Sequence, residues 1–384
     1  MRSAGRYLAP FAILVAAVAA LPAQQQPDTV YVSPRGRDTW SGHLSAPNST
    51  RTDGPLASFE RARDAVRSSS HTRAAASIVH VEDGLWLRNK ALVLDTIDGG
   101  LLNQPVVWEF SSKARISGAV RLAGWSRVRD PAIVARLDKA ARDSVVVARI
   151  PDSVDIERWR SDGRSIRPAP PELVWNGQVL QVAQWPDTGW DQIASVDSAH
   201  GVRIGVLTDR IARWSTASDP WVLGYWRYDW HDAFLRVTGV DARSGELLLA
   251  GKPDHYGIAP GQRYRIINLI EELSAPGEYW IDAEHRLVYV WPPSDPGRAE
   301  TFLSVLTDPV LEVRGASDVT IRGLQAEASR GEGILVEGGA RVHVLGGSLR
   351  SLGGRAIEIR GGAAMGVASD PRLPSSFGMV RFSR

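Results

Sequence analysis

The sequence predicts an all-β protein in which short strands stack as the coils of a solenoid, with one helix near the N-terminus and a β-rich insertion in the middle. Three observations predict this class. The chain beyond residue 300 repeats with a fixed period of 23 residues. Helical periodicity is clear in one segment, before residue 70, and almost disappears after it. Gly and Pro, 36 and 23 of the 384 residues, favour many short elements joined by turns.

Residues 1–23 have the pattern of a secretory signal peptide. Two Arg precede a nearly apolar run from Tyr7 to Leu21, and Ala23 then stands before three Gln. That run of 15 residues is shorter than the roughly 20 that a membrane-spanning helix requires. The sequence therefore predicts an exported chain, secreted or periplasmic, cleaved near Ala23 and without a stable membrane span.

The composition excludes several classes of partner and chemistry. Once residues 1–23 are removed, basic and acidic residues are equal in number, and no basic cluster occurs, so no nucleic-acid partner is predicted. The chain has no Cys, which excludes disulfides and thiol catalysis. The His residues are scattered without the short spacing of metal ligands, so neither a metal nor another cofactor is predicted.

Residues 24–122 are predicted to form an N-terminal cap and the first coils. Residues 55–69 form the predicted helix, because Pro55 suits a first helical position and an apolar stripe follows. That stripe consists of Leu56, Phe59, Ala62 and Val66. Short strand-like runs come next, at residues 78–81, 91–94, 105–110 and 115–120.

Residues 123–300 are predicted to be an inserted β-rich domain. Trp-rich segments are broken there by Pro and Gly, and residues 278–282 and 287–291 form a hairpin-like pair around a short polar turn. A short helix is expected near residues 130–143.

Residues 301–369 are predicted to be coils of 23 residues each. Alternating apolar pairs followed by Gly recur at Leu311 and Val313, at Ile334 and Val336, and at Ile357 and Ile359. The apolar residues should point inward and their neighbours outward. Two columns follow from the period. The first consists of Gly315, Gly338 and Gly361, and the second, of alternating charge, consists of Arg314, Glu337 and Arg360.

Residues 370–384 form a tail that departs from this register. Two Pro fall within residues 370–374, where a central strand would lie, and residues from Ser375 onward restore no pattern. We expect a truncated or frame-shifted gene product, whose open solenoid edge could lead to self-association.

Several segments resemble secreted right-handed parallel β-helix proteins. Residues 31–38 (YVSPRGRD) and 53–63 (DGPLASFERAR) form the opening motif, and other matching segments follow along the chain. These further segments are residues 95–100, 116–118, 175–177, 184–186, 224–226, 229–230, 268–273 and 276–278. The chain is most similar to the carbohydrate-active group that includes glycoside hydrolase families 141 and 120.

This resemblance implies a right-handed parallel β-helix in a bacterial exported protein that acts on or binds a polysaccharide or oligosaccharide. Catalytic carboxylates of the group usually lie on coils beyond the third repeat seen here, so the resemblance implies that the catalytic coils are lacking. A non-catalytic glycan-binding or cell-surface module is the alternative function. A polysaccharide lyase fits less well, because residues 302–367 hold no Asp cluster for Ca²⁺.

Glu312 and Glu358 are the candidate catalytic carboxylates. They share an outward column two coils apart, about 9.6 Å by the strand spacing, near the 6.5–9.5 Å of inverting glycosidases. Leu335 lies between them, and solvated surface acids are the simpler interpretation. Glu327 and Glu332 are interpreted as turn acids.

Trp226, Tyr228 and Trp230 are the candidate substrate-binding residues. Aromatic faces stack on sugar rings, and strand alternation would place the three side chains on one side. A buried aromatic cluster that stabilises the insertion is the alternative interpretation.

Overall fold

The computed structural model describes residues 27–69, 75–156, 166, 168–199, 201–251, 255–361, 365–368, 375–376 and 380–382. The predicted signal peptide and the two prolines of residues 370–374 lie outside these ranges. The described chain is mostly β, as predicted, with short helices at few places.

Three parallel sheets contain the strands of the N-terminal and C-terminal parts. Sheet 1 consists of Asp28–Val32, Ser77–Val81, Val106–Phe110, Val319–Arg322, Val342–Leu345 and Met365–Ala368. Sheet 2 consists of Gly84–Leu87, Ala114–Ser117, Gln325–Ser329, Gly347–Leu352 and Ser375–Ser376. Sheet 3 consists of Leu92–Leu94, Leu311–Arg314, Ile334–Glu337, Ile357–Arg360 and Val380–Phe382.

The 23-residue period is the register of these sheets. Leu311 pairs with Ile334 and Ile334 with Ile357, while Val319 pairs with Val342. The predicted glycine column is confirmed, because a Cβ on Gly338 would lie 3.7 Å from the Cα of Gly315. The chain thus returns to each sheet one strand further along after every repeat.

One hydrophobic core is shared by the inward residues of all three sheets. Val79 of sheet 1, Ile116 of sheet 2 and Val313 of sheet 3 belong to the same buried cluster. Fully burying an aliphatic side chain of this kind contributes about 1.5–3 kcal/mol, so the repeated inward pairs are the main stabilisation of these sheets.

The N-terminal helix packs on this core but starts later than predicted. It spans Phe59–Ser69, and Leu56 instead forms an extended bridge with Val32. Ser58 begins the helix, because its Oγ accepts a hydrogen bond from the backbone N–H of Arg61. Pro55 is therefore not the first helical residue, because strand-like pairing to a distant residue overrides the local helix signal.

The chain leaves sheet 2 at Gly118, comes back beside this residue at Leu306 and then enters sheet 3 at Leu311. The backbone N–H groups of Val305 and Leu306 both donate to the carbonyl oxygen of Gly118, at 2.8 Å each. A Cβ on Gly118 would approach the side chains of Leu306 and Ser329 to 2.8 Å, so this crossing requires glycine. The predicted single strand at residues 115–120 is consequently divided at Gly118.

Three further sheets, largely antiparallel, lie between these two points. Sheet 4 consists of Gln178–Val179, Leu173–Trp175, Thr301–Ser304 and Ala119–Arg121. Sheet 5 consists of Gln181–Val182, Glu278–Asp282, Leu287–Val290, Val146–Arg149 and Ser126–Arg127. Sheet 6 consists of Gln184–Trp185, Arg263–Ile267, Trp221–Tyr225, Asp232–Asp241, Glu246–Leu249, Val202–Gly205 and Ser195–Asp197, with Asp191–Gln192 paired beside it.

The predicted hairpin of this region is confirmed, because Glu278–Asp282 pairs antiparallel with Leu287–Val290. The short helix expected near residues 130–143 spans Pro131–Arg136, and the Asp130 side chain caps it by accepting from the N–H of Ala132. In the described ranges, 3₁₀ segments lie at Thr96–Asp98, Asp209–Thr216 and Ile270–Glu272.

The end of the described chain differs from the prediction. Val380–Phe382 pairs in parallel with the strand Ile357–Arg360, with Val380 opposite Ile357 at the 23-residue interval. Ser375–Ser376 likewise continues sheet 2. The expectation that residues from Ser375 onward restore no pattern is therefore wrong.

Candidate functional site

A cleft of about 620 Å³ lies over the outer face of sheet 3. One wall is formed by the first turns of the N-terminal helix and by the loop before the strand Leu92–Leu94, and the turn before Val310 closes one side. The lining residues are Glu60, Arg63, Lys90, Ala91, Val93, Asp308, Pro309, Glu312, Arg314, Leu335, Glu337 and Arg360. Its charged side chains include both signs in similar number, so the cleft offers many hydrogen-bonding groups without a strong net charge.

Glu312 and Glu358 lie in one outward column of sheet 3, as predicted. Glu312 is opposite Leu335, and Leu335 is opposite Glu358. Both carboxylates are nevertheless buried, with 4% and 5% of their surface exposed. The interpretation of these residues as solvated surface acids is therefore wrong.

Arginines two residues further along each strand explain this burial. The guanidinium of Arg314 binds the Glu312 carboxylate through two hydrogen bonds of 2.5 and 2.8 Å. Glu358 accepts from Arg360 at 3.0 Å and from Arg355 at 2.8 Å. Burial alone would raise the pKa of Glu358, but the hydrogen bonds and charges of Arg360 and Arg355 outweigh it and lower that pKa. Glu358 is therefore held ionised.

The residues of the predicted column of alternating charge are opposite one another on neighbouring strands, but they do not form ion pairs across the strands in the described chain. Arg314 is opposite Glu337, and Glu337 is opposite Arg360. In the described chain, the ion pairs of both arginines run along their own strands, to Glu312 and Glu358. Each arginine bonds the carboxylate two residues away on the same face, Arg314 with two N–H groups and Arg360 with one.

Glu60 and Lys90, in the wall of the cleft, were not identified from the sequence. Glu60 is bound by Arg88 at 2.6 Å and lies 3.5 Å from Lys90. Burial opposes ionisation of Glu60, yet the hydrogen bond and charge of Arg88 dominate and lower its pKa to about 2. The helix stripe predicts the inward residues, and no sequence pattern indicates that the outer face of this helix borders a cleft in sheet 3.

Glu327 is not a turn acid. It lies in the strand Gln325–Ser329, buried between Arg115 and Arg350 of the two neighbouring strands of sheet 2. Its carboxylate bridges neighbouring strands of sheet 2, which is a structural role.

The three aromatic candidates are separated by the structure. Trp226 is fully buried, and its indole N–H donates to the carbonyl of Ala233 at 3.0 Å. Residues 226–231 form the turn between the strands Trp221–Tyr225 and Asp232–Asp241 rather than a strand. The expectation that strand alternation places Trp226, Tyr228 and Trp230 on one side is therefore wrong.

Tyr228 and Trp230 remain together at the tip of this hairpin. Their rings are stacked, with centroids 5.4 Å apart and planes within 7°. Tyr256 joins them edge-on, at 5.6 and 5.5 Å. We call Tyr228, Trp230 and Tyr256 the aromatic tip. Tyr256 was missed because it lies far along the sequence and reaches the tip only through the folding of sheet 6.

Buried acids elsewhere in the insertion stabilise the fold. Glu272 is fully buried and accepts hydrogen bonds from Arg210 at 3.2 Å and from the Trp214 indole at 2.7 Å. Burial raises its pKa more than these partners lower it. Glu271 is bound by Arg136 at 2.8 Å. These contacts connect the helix Pro131–Arg136 and the 3₁₀ segments Asp209–Thr216 and Ile270–Glu272.

No group of three or more His, Asp or Glu side chains in the described ranges is arranged to hold a metal ion. None of the described helices is long and apolar enough to cross a membrane.

Comparison with solved structures identifies a protein that shares this fold. No protein-family model and no curated protein matches the chain. A solved structure described as a glycoside hydrolase aligns with a TM-score of 0.68 and 14% identity, over 91% of this chain and 69% of its own. The complex of XylC with xylose aligns with a TM-score of 0.38 and 11% identity, over 87% of this chain and 42% of its own. The first of these alignments shows a shared fold with a glycoside hydrolase, and the second score is too low to support an argument.

Proposed function

We propose that this chain is an exported carbohydrate-active protein of the right-handed parallel β-helix type, related to glycoside hydrolases such as those of families 141 and 120. The three parallel sheets would be the three faces of the helix, and residues 123–300 would be an insertion into one coil. A fold by itself does not define a function, so the proposal depends on the site.

The cleft over sheet 3 is the observation that carries the proposal. It runs across successive strands, and its floor and walls carry carboxylates and guanidinium groups that can accept from and donate to sugar hydroxyls. Arg314 has 59% of its side chain exposed, and Arg360 has 45%. Both therefore keep N–H groups accessible to a polysaccharide in the cleft.

We expect this cleft to bind a glycan without hydrolysing it. General acid catalysis needs a carboxyl group that stays protonated near neutral pH, as desolvation without a cation achieves. Arginines bind both Glu312 and Glu358, and the pKa of Glu358 is lowered. Glu358 thus lacks the environment of a proton donor, and the carboxylate of Glu312 is occupied by two hydrogen bonds from Arg314. A non-catalytic glycan-binding module is favoured for this reason.

Affinity electrophoresis against a panel of plant and bacterial polysaccharides, with a parallel assay for released reducing sugar, tests the proposal. We expect at least one polymer to retard the wild-type chain, and Arg314→Gln to weaken that retardation. Arg298→Gln is the matched control, because Arg298 is 91% exposed and lies outside the cleft. Since Arg314→Gln leaves Glu312 buried without its cation, the double variant with Glu312→Gln is measured as well.

Absence of retardation and of sugar release with every polymer would refute the proposal. Release of reducing sugar by the wild-type chain would keep the carbohydrate assignment and overturn the expectation of binding alone. Export is tested separately, by sequencing the N-terminus of the protein recovered outside the cytoplasm.

A further inference from the structure

The aromatic tip exposes a flat ring surface that the folding of the insertion does not use. Trp230 is 64% exposed, Tyr228 42% and Tyr256 39%. Burial of aromatic surface stabilises a protein, and Trp226 at the start of the same turn is buried in the core. Three neighbouring rings that keep much of their surface exposed to solvent therefore indicate a binding role.

The neighbouring rings contact Trp230 in two ways, by stacking and edge-on. Tyr228 covers one side of Trp230, with parallel planes. Tyr256 is nearly perpendicular to both rings, at 79° and 84°, and almost equidistant from them, so it flanks the pair. The His231 ring also contacts Trp230 edge-on, at 5.5 Å, and the indole still keeps 64% of its surface exposed.

Another aromatic pair of sheet 6 shows the contrasting arrangement. The guanidinium of Arg265 lies 4.2 Å from the ring centroid of Trp190, and that of Arg263 lies 4.2 Å from Tyr225. These ring faces are occupied by cations of the protein itself. Trp230 has no such cation among its contacts in the described chain.

The side chains around the aromatic tip carry balanced charge. Arg227, Asp229 and Asp232 are exposed beside it, and Asp229 is paired with Arg263 at 3.2 Å. Together with His255, whose ring lies 3.9 Å from that of Tyr256, these side chains provide hydrogen-bonding groups of both kinds. The exposed acidic and basic side chains named here, all among the described residues, give no net positive charge to attract an anionic polymer.

We propose that the aromatic tip stacks on a pyranose ring of a neutral, β-linked polysaccharide. Sugars whose ring substituents are equatorial present a flat face of C–H groups, which matches the exposed indole, and their hydroxyls match the charged side chains around it. This inference rests on the proposed function and adds a second contact for the glycan, on the insertion.

The size of the patch argues against a protein partner. An aromatic side chain buries roughly 150–250 Å², so the exposed parts of these three rings amount to on the order of 300 Å². A stable protein interface buries about 800 Å² on each partner. The aromatic tip is large enough for one or two sugar rings and too small for such an interface.

The test is affinity electrophoresis of the full chain in xylan, mixed-linkage β-glucan, hydroxyethylcellulose and polygalacturonate. We expect Trp230→Ala and Tyr228→Ala to weaken binding to a neutral polymer by about tenfold, the scale of one lost ring contact. Trp230→Phe should recover part of this loss. Leu207→Ala is the control, because Leu207 is 86% exposed in the same insertion but lies outside the aromatic tip.

The outcomes separate the two proposals. If no polymer retards the wild-type chain, both this inference and the proposed function fail. If the wild-type chain and Trp230→Ala bind equally, the inference alone fails. Binding to polygalacturonate alone would overturn the assignment to neutral glycans. Self-association of the wild-type chain by light scattering, lost in Trp230→Ala, would instead identify a protein contact and overturn the inference.

Discussion

Substitution of the adjacent glycines Gly338 and Gly339 tests whether successive repeats stack in contact. Both residues have a positive φ, 69° and 75°, so replacement by Ala costs each about 1–2 kcal/mol in backbone strain. They differ in what a Cβ would meet. At Gly338 the nearest atom is 3.7 Å away, whereas at Gly339 the carbonyl oxygen of Ala316, one repeat earlier, lies at 2.1 Å.

The Cβ of Gly339→Ala therefore has to push two turns of neighbouring repeats apart. Overpacking of this kind costs about 1–3 kcal/mol beyond the strain that both variants share. We expect Gly339→Ala to melt several degrees below Gly338→Ala, as measured by differential scanning fluorimetry and by circular dichroism. Because the two variants differ only in the position of one methyl group, Gly338→Ala is the matched control. Equal melting temperatures would refute the close contact between these repeats.

Three further predictions concern charged groups. Glu60→Gln should destabilise the chain by about 1–2 kcal/mol at pH 7, because the partly buried ion pair with Arg88 is lost. The pKa of Glu60 is lowered from 4.5 to about 2, so this contribution is complete above pH 4.5, and the difference in thermal melting between variant and wild type should shrink as the pH falls toward 2. Burial raises the pKa of Glu172, so ionisation opposes folding as the pH rises. Glu172→Gln should thus raise the melting temperature at pH 7 and leave it unchanged at pH 3, and a constant difference would contradict this. Arg210→Ala should cost about 3–5 kcal/mol in urea denaturation, because Glu272 then stays fully buried without its cation, and a cost below 1 kcal/mol would show that the pair is dispensable.

The sequence was most informative where the structure repeats. Inward positions such as Leu311, Ile334 and Ile357 must be apolar in every repeat, because they share one core. A constraint that recurs every 23 residues is visible without knowledge of distant contacts. The glycine column follows for the same reason, because each repeat makes the same turn with a positive φ at Gly315, Gly338 and Gly361.

The environment of the candidate site was less predictable, because it depends on contacts between distant segments and on side-chain conformations. Glu312 is an outward residue of its strand and yet is buried, because Arg314 folds over it in the cleft. Strand alternation predicts the side of the sheet to which a side chain points, but it does not predict whether solvent reaches that side chain. Likewise, the helix began late because Leu56 bridges Val32, and alternation failed at Trp226 because the chain turns there.

The crossing at Gly118 has a consequence for how such a protein can diversify. Because one carbonyl oxygen receives the returning chain at Val305 and Leu306, the two ends of residues 119–304 lie side by side. A tight turn of a few residues could connect these two ends directly. Chain ends that lie this close together are typical of sites where the insertion of a whole domain is tolerated. Residues 119–304 can therefore be replaced as a unit during evolution or by engineering, while the strands of sheet 2 on either side of Gly118 keep their pairing.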